Sequence, residues 1–107
     1  MSTPSSVITA EVTSWPGVTA GLGERGEFGF RVDGHELGHL HGDRVAHFGF
    51  PRELCAELRA AGRVGPHPVN RHSTKLAARE ITNDEDVRDV IALMRITYDL
   101  ATAPAAA

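Results

Sequence analysis

Three of the six histidines of this chain fall within seven residues, from His35 to His41, in the segment GHELGHLHGD. Imidazole changes its protonation state near neutral pH, and it is also the most common side-chain ligand of transition metals in proteins. The segment therefore predicts either acid–base chemistry or metal binding. The choice depends on whether its backbone forms a helix or a strand.

As a helix, the segment contains the HExxH pattern of zinc hydrolases. His35 and His39 would share one helix face as zinc ligands, and Glu36 would be the base that activates the zinc-bound water. However, the position of a third histidine ligand in the extended pattern is occupied by Val45. Two glycines within the segment also lower its helix propensity. A chain of 107 residues, moreover, offers little scaffold to enclose a protease cleft.

As a strand, the segment follows Asp33-Gly34, which is a strong signal for a two-residue type I′ hairpin turn. A regular hairpin around that turn would place Phe28 opposite His39. One face of the hairpin would carry Phe28, Phe30, Val32, His35, Leu37, His39 and His41. We favour this interpretation, in which the histidines share the phenylalanine face and line a pocket on the inner face of a sheet.

The predicted catalytic residues are His39 and His41, which are two positions apart in a strand and can reach one small cavity, together with Tyr98 from the last helix. The predicted ligand-binding residues are Phe28, Phe30, His35, Asp43 and His67. A neutral imidazole exchanges protons near pH 7, so isomerisation, cyclisation or hydrolysis would need no cofactor. We expect no cofactor and no metal, and a histidine-ligated metal site is an alternative.

Two further alternatives use the same residues differently. In one, the pocket binds its ligand without turnover, as in an accessory protein. In the other, the histidines lie partly exposed at a sheet edge or bond to backbone carbonyls, and they do no chemistry. We assign His47 and His72 to this last class.

The elements that must position these residues indicate a single α+β domain over residues 6–100, with residues 1–5 and 101–107 as flexible termini. The expected order is a short helix ending before Pro16, three or four strands between Gly17 and Phe50, a helix from Pro51 to Gly62, a strand from Lys75 to Ile81, and a last helix capped by Thr82 or Asn83. The predicted fold is an antiparallel sheet of about 4–5 strands with two or three helices packed on one face.

The net charge and the composition exclude some classes of binding partner. The formal charge is −3, which argues against nucleic acid as a partner. The single cysteine, Cys55, excludes an intramolecular disulfide, and no run approaches the apolar length of a membrane span. We expect a cytoplasmic protein with a small-molecule ligand or substrate and no membrane partner, and a homodimer is compatible with the sequence.

Several short motifs occur in a common order. They are WPGV at 15–18, EFGF at 27–30, HELGHLHGD at 35–43, FP at 50–51, AAG at 60–62, PH at 66–67 and MRITY at 94–98. In this order they resemble the luciferase-domain family of small bacterial proteins. The resemblance implies a strand through ELGHLHGD and singles out His39, His41 and His67. It implies neither light emission nor a flavin.

This chain departs from the family pattern in two places. Family members typically carry arginine at the position of His35, so HExxH is here an accident of one substitution. After Pro66-His67 the family has a serine-glycine-tryptophan stretch, whereas this chain has Ser73-Thr74-Lys75. Loss of the tryptophan implies a wider pocket and a specialised substrate.

The order of elements from His67 to Tyr98 is also similar to YjbR-like proteins, which are α+β domains related to a double-wing nucleic-acid-binding shape. A nucleic-acid-binding module is therefore a further alternative, which the negative charge disfavours. The sequence as a whole favours a small-molecule-binding domain with a histidine-lined pocket, working as a cofactor-independent acid/base enzyme of bacterial secondary metabolism.

Overall fold

The structure, a computed structural model, describes residues 2–104 and contains three helices and six strands within them. The elements are α1 (Pro4–Val12), β1 (Thr19–Leu22), β2 (Phe28–Val32), β3 (His35–His41), β4 (Val45–Gly49), α2 (Arg52–Ala60), β5 (Gly65–Pro66), β6 (Leu76–Glu80) and α3 (Asp84–Thr102). The strands form one antiparallel sheet in the order β1-β2-β3-β4-β6-β5. The predicted α+β fold is confirmed, and the sheet has slightly more strands than expected.

The first and last helices extend beyond the expected domain limits of 6 and 100. Helix α1 begins at Pro4, where the side chain of Thr3 caps it, and α3 continues to Thr102. Met1 and the expected tail residues 105–107 lie outside the described residues. Helix α1 packs against α3, and its buried residues Ile8 and Val12 belong to the common core.

The cap of α3 is one of the two predicted residues. The Asn83 side chain accepts a hydrogen bond from the backbone N–H of Asp86 at 2.8 Å, so Asn83 is the N-cap. Thr82 lies outside the helix, and its N–H and hydroxyl both donate to the Asp86 carboxylate. Helix α2 buries the Cys55 side chain completely.

The hairpin between β2 and β3 has the predicted turn. Asp33 and Gly34 have φ values of 49° and 79°, and a type I′ turn requires a positive φ at both central residues. The first two pairs beyond the turn are also those predicted, Val32 with His35 and Arg31 with Glu36. The segment is therefore a strand, and the helical HExxH interpretation is wrong.

A β-bulge then changes the register of β3. Phe30 pairs with Gly38 and Phe28 pairs with Leu40, so Leu37 is the extra residue. Because side chains alternate along a strand, one extra residue places His39 on the face opposite Phe30. The prediction that the histidines share the phenylalanine face is wrong. The phenylalanines face the helices, whereas His39 and His41, which follow the bulge, lie on the outer face.

Helix α3 holds this bulge in place. The hydroxyl of Thr97 donates to the carbonyl of Leu37 at 2.9 Å and shares its proton with the Met94 carbonyl at 2.8 Å. The Leu37 side chain is buried. A Cβ at Gly38 would lie 2.9 Å from the His47 carbonyl oxygen and 3.0 Å from Sδ of Met94. The bulge therefore needs both the hydroxyl of Thr97 and the missing side chain of Gly38.

Replacing Thr97 by valine is expected to lower the free energy of unfolding by about 1–2 kcal/mol, because the buried Leu37 carbonyl loses its hydroxyl donor. Urea denaturation measures this change. Thr102→Val is the matched control, since Thr102 is an exposed residue and its hydroxyl donates within α3, to the Tyr98 carbonyl. Equal stability losses in the two variants would contradict the assigned role of Thr97.

The core lies between the inner face of the sheet and the helices. Its largest fully buried side chains include Phe30, Leu40, Leu93 and Met94. Among residues 2–104, no helix combines the length and the apolar character that crossing a membrane would require. The outer face of the sheet, by contrast, carries polar and histidine side chains.

Candidate functional site

Four histidines meet on the outer face of the sheet. His39 and His41 lie on β3, His47 lies on β4, and His67 directly follows β5. The ring centroids of His41 and His47 are 4.4 Å apart, as are those of His47 and His67. The His39 ring lies 5.0 Å from that of His41 and 5.2 Å from that of His47. We call these four residues the histidine cluster.

Strand pairing brings the cluster together. His39 and His47 are direct partners across β3 and β4, so their side chains leave the same face of the sheet. Ala78 of β6 pairs with His47 on one side and with Gly65 of β5 on the other. His67 follows two residues after Gly65, which places its ring beside His47.

The loop after β5 fixes the orientation of the His67 ring. Its Nδ1 accepts hydrogen bonds from the backbone N–H groups of Val69 and Asn70, both at 3.2 Å. An accepting Nδ1 means that the neutral ring carries its proton on Nε2. Arg59 of α2 holds the far end of this loop by donating to the Ser73 carbonyl at 2.8 Å.

An open cleft of about 560 Å³ lies over the cluster. Its walls come from residues 24–27 and from the loop at 67–70. Val69 at the rim is 88% exposed, an unusual degree of exposure for a large apolar side chain. The cleft thus combines an imidazole floor with charged and apolar walls, as small-molecule sites commonly do.

His47 is the most buried member of the cluster, with 7% of its surface exposed. Burial is the main cause that lowers its pKa to about 4, and the neighbouring rings of His41, His67 and His39 add to the effect. The ring is therefore neutral at pH 7. Its Nε2 is buried and has no hydrogen-bond partner within residues 2–104.

His39 lies beside a carboxylate. Its Nδ1 is 3.5 Å from Oε1 of Glu36, which is an electrostatic contact too long for a hydrogen bond. This contact with His39 is the largest cause of the lowered pKa of the Glu36 carboxyl, and Arg31 contributes a smaller attraction. A carboxylate at Nδ1 favours a proton on that nitrogen and leaves the lone pair of Nε2 free.

The sequence model of the family described as "Luciferase domain" matches residues 34–97, which is more than half of the chain. The chain belongs to the luciferase-domain family. Comparison with curated proteins and with solved structures gave no match. Family membership and the cluster together fit a small binding or catalytic domain.

In this luciferase-domain protein, three of the predicted site residues come together, namely His39, His41 and His67. Sequence reasoning missed His47, which lies at the centre of the cluster although it had been assigned no chemistry. The sequence did contain a signal for His47: if residues 42–44 form a turn between β3 and β4, antiparallel pairing places His47 opposite His39. His72 is exposed in a loop.

Three of the predicted ligand-binding residues face elsewhere. Phe28 and Phe30 pack edge to face on the inner side of the sheet, with their ring centroids 5.6 Å apart. His35 pairs with the inward-facing Val32 and lies near the end of α3, beside Leu100. The cleft is therefore on the outer face of the sheet, and the predicted pocket on the inner face is wrong.

Tyr98 and Asp43 also lie outside the cluster, in contacts within the fold. The buried Tyr98 donates its hydroxyl to the Pro16 carbonyl at 2.8 Å, and its ring packs against Trp15. The Asp43 carboxylate accepts a hydrogen bond from the N–H of Ser5 at 2.8 Å, and this contact lowers the pKa of Asp43. Asp43 thereby joins the first turn of α1 to the turn between β3 and β4.

Proposed function

We propose that this protein binds a small organic molecule in the cleft and that the neutral imidazoles of the histidine cluster exchange protons with it. The observation that carries the proposal is the buried Nε2 of His47, which has no partner among residues 2–104. Most buried polar atoms have a partner, and an unpaired one costs about 1–3 kcal/mol. A ligand in the cleft would supply the partner.

The hydrogen-bonding groups of the cluster indicate the class of ligand. His39 offers the lone pair of Nε2, and His67 offers an N–H at Nε2. A complementary molecule would carry a hydroxyl group, which donates, close to a carbonyl or another acceptor. Imidazole both takes and gives protons at pH 7, which suits hydrolysis, isomerisation or cyclisation.

The spacing of the rings supports an acid–base role. The ring centroids of the neighbouring imidazoles are 4.4–5.2 Å apart. Burial and the neighbouring rings lower the pKa of His47 to about 4, so its ring stays neutral at pH 7. His41, the most exposed ring of β3 in the cluster, is the member that a ligand reaches first.

A test uses 4-nitrophenyl acetate, an activated ester that a neutral imidazole can hydrolyse, with metal-free protein in excess chelator. The His39→Ala/His41→Ala double variant is expected to lose ~100-fold or more of the rate at pH 7. His72→Ala is the matched control and should keep the full rate, because His72 lies outside the cleft. Circular dichroism checks that the double variant remains folded.

A folded double variant that hydrolyses the ester as fast as the unmodified protein would exclude the acid–base role. Ligand binding is measured separately by titrating 4-nitrophenol and following the side-chain ¹⁵N signals of the histidines by NMR. Shifts confined to the cluster are the expected result. The same shifts at His72 would indicate unspecific binding instead.

A further inference from the structure

We propose that His39, His41 and His47 also form a binding site for one divalent transition-metal ion of the zinc type. One ring nitrogen from each of these residues lies within 4.8 Å of the other two. The inference builds on the proposed function, because the ion would occupy the floor of the same cleft. With the ion bound, a water molecule on its open side would lose its proton more readily, and the resulting hydroxide would replace the imidazoles as the base or nucleophile.

The strands arrange three nitrogens around one point. His39 and His47 face each other across β3 and β4, and His41 lies two residues further along β3 on the same face. In a tetrahedral zinc site the ligand nitrogens are roughly 3.4 Å apart, given Zn–N bonds of about 2.0–2.1 Å. The ring nitrogens, which lie within 4.8 Å of one another, must therefore close in by at most roughly 1.4 Å, and the exposed ring of His41 can turn toward the other two.

The buried nitrogen of His47 points to a ligand that accepts its lone pair. His47 is 7% exposed, and its Nε2 has no partner within residues 2–104. Buried polar atoms are normally satisfied, and coordination of a metal ion is one way to satisfy an imidazole lone pair. The same ion would hold His39 and His41 together.

Glu36 lies where a carboxylate can orient a metal-binding histidine without binding the metal itself. Its carboxylate lies 3.5 Å from Nδ1 of His39, and a carboxylate at that nitrogen directs the lone pair of Nε2 toward a metal. This role differs from that of the glutamate in an HExxH helix, which acts on the zinc-bound water. The glutamate here positions His39 and does not contact the ion.

The remaining histidine of the cluster is a donor. Nδ1 of His67 is already an acceptor for the N–H groups of Val69 and Asn70, so its Nε2 carries the proton. The site thus has three protein ligands and an open position toward the cleft, as catalytic zinc sites do. Three imidazoles select Zn²⁺, Co²⁺, Ni²⁺ or Cu²⁺ over Mg²⁺ and Ca²⁺.

The test is a titration of the untagged, metal-free protein with Co²⁺, followed by visible absorption, and then displacement by Zn²⁺. We expect one Co²⁺ per chain, with the strong bands of a four- or five-coordinate ion, and no competition from Mg²⁺. His41→Ala should weaken Co²⁺ binding by at least ~10-fold, and it is exposed enough to leave the fold intact. His72→Ala is the control and should bind as the unmodified protein does.

Glu36→Gln separates positioning from coordination. It should weaken Co²⁺ binding by about 10-fold while the stoichiometry and the absorption bands stay the same, because the three ligands remain. Bands of six-coordinate aqueous Co²⁺, or equal affinity of the His41→Ala variant, would overturn the metal site. Ester hydrolysis in excess chelator is independent of this result, so the two proposals can fail separately.

Discussion

Acidifying the metal-free protein from pH 7 to pH 4 is expected to lower its free energy of unfolding by about 3 kcal/mol through His47 alone. Burial lowers the pKa of His47 from 6.5 to about 4, whereas the unfolded chain keeps the ordinary value. Between these two values the unfolded state binds more protons than the folded state. Stability is therefore lost as the pH falls from about 6.5 to 4, and this component is constant below that range.

Urea denaturation at pH 7, 5.5 and 4 in the presence of chelator measures the effect. His47→Leu should remove most of the pH dependence, and at pH 7 it should stabilise the protein by about 1 kcal/mol, because it removes the buried, unpaired Nε2 of His47. His72→Leu is the control, since His72 is exposed and should leave the pH dependence unchanged. Parallel pH curves for the unmodified protein and His47→Leu would disprove the assignment.

Gly38→Ala is expected to destabilise the fold by about 2 kcal/mol and to disturb the histidine cluster. The new Cβ would lie 2.9 Å from the carbonyl oxygen of His47 and 3.0 Å from the Met94 side chain. The methionine side chain can move, but the carbonyl belongs to the backbone of β4, which is paired with β3. The bulge must therefore shift, and the pairing of His39 with His47 shifts with it.

Gly49→Ala provides the control for that substitution. Gly49 also lies on a central strand, but a Cβ there would meet only Leu76, at an ordinary contact distance of 3.8 Å. We expect its stability change to stay within about 0.5 kcal/mol. The second readout is the affinity for Co²⁺, which should fall in Gly38→Ala and not in Gly49→Ala. Identical results for the two variants would refute the role of Gly38 in the bulge.

Local signals in the sequence predicted most of the secondary structure. The Asp33-Gly34 turn could be recognised because its backbone conformation depends on those two residues themselves. The bulge could not, because it depends on Thr97 and on the close approach of Met94, which are about 60 residues away in the chain. The sequence therefore predicted the strand correctly and its outward face incorrectly.

The candidate site shows the same division. His39 and His41 were recognised from their spacing within one strand, which is local information. His47 joins them only through the pairing of β3 with β4, and Tyr98 is separated from them because α3 packs on the opposite side of the sheet. Residue type and spacing predicted a histidine site. Which residues belong to that site depends on how distant elements pack.

Because Leu37 is the extra residue of the bulge, β3 could lose this residue without losing its pairing with β2. If Leu37 were deleted, Gly38 could still pair with Phe30 and His39 with Gly29, now in a regular hairpin without the extra residue. Such a shortened chain would lose a buried side chain and the contact with Thr97, yet its imidazoles would still face the cleft. A one-residue deletion within a central strand usually moves the following side chains to the other face of the sheet. Here it would reduce stability and leave the arrangement of the histidines in place.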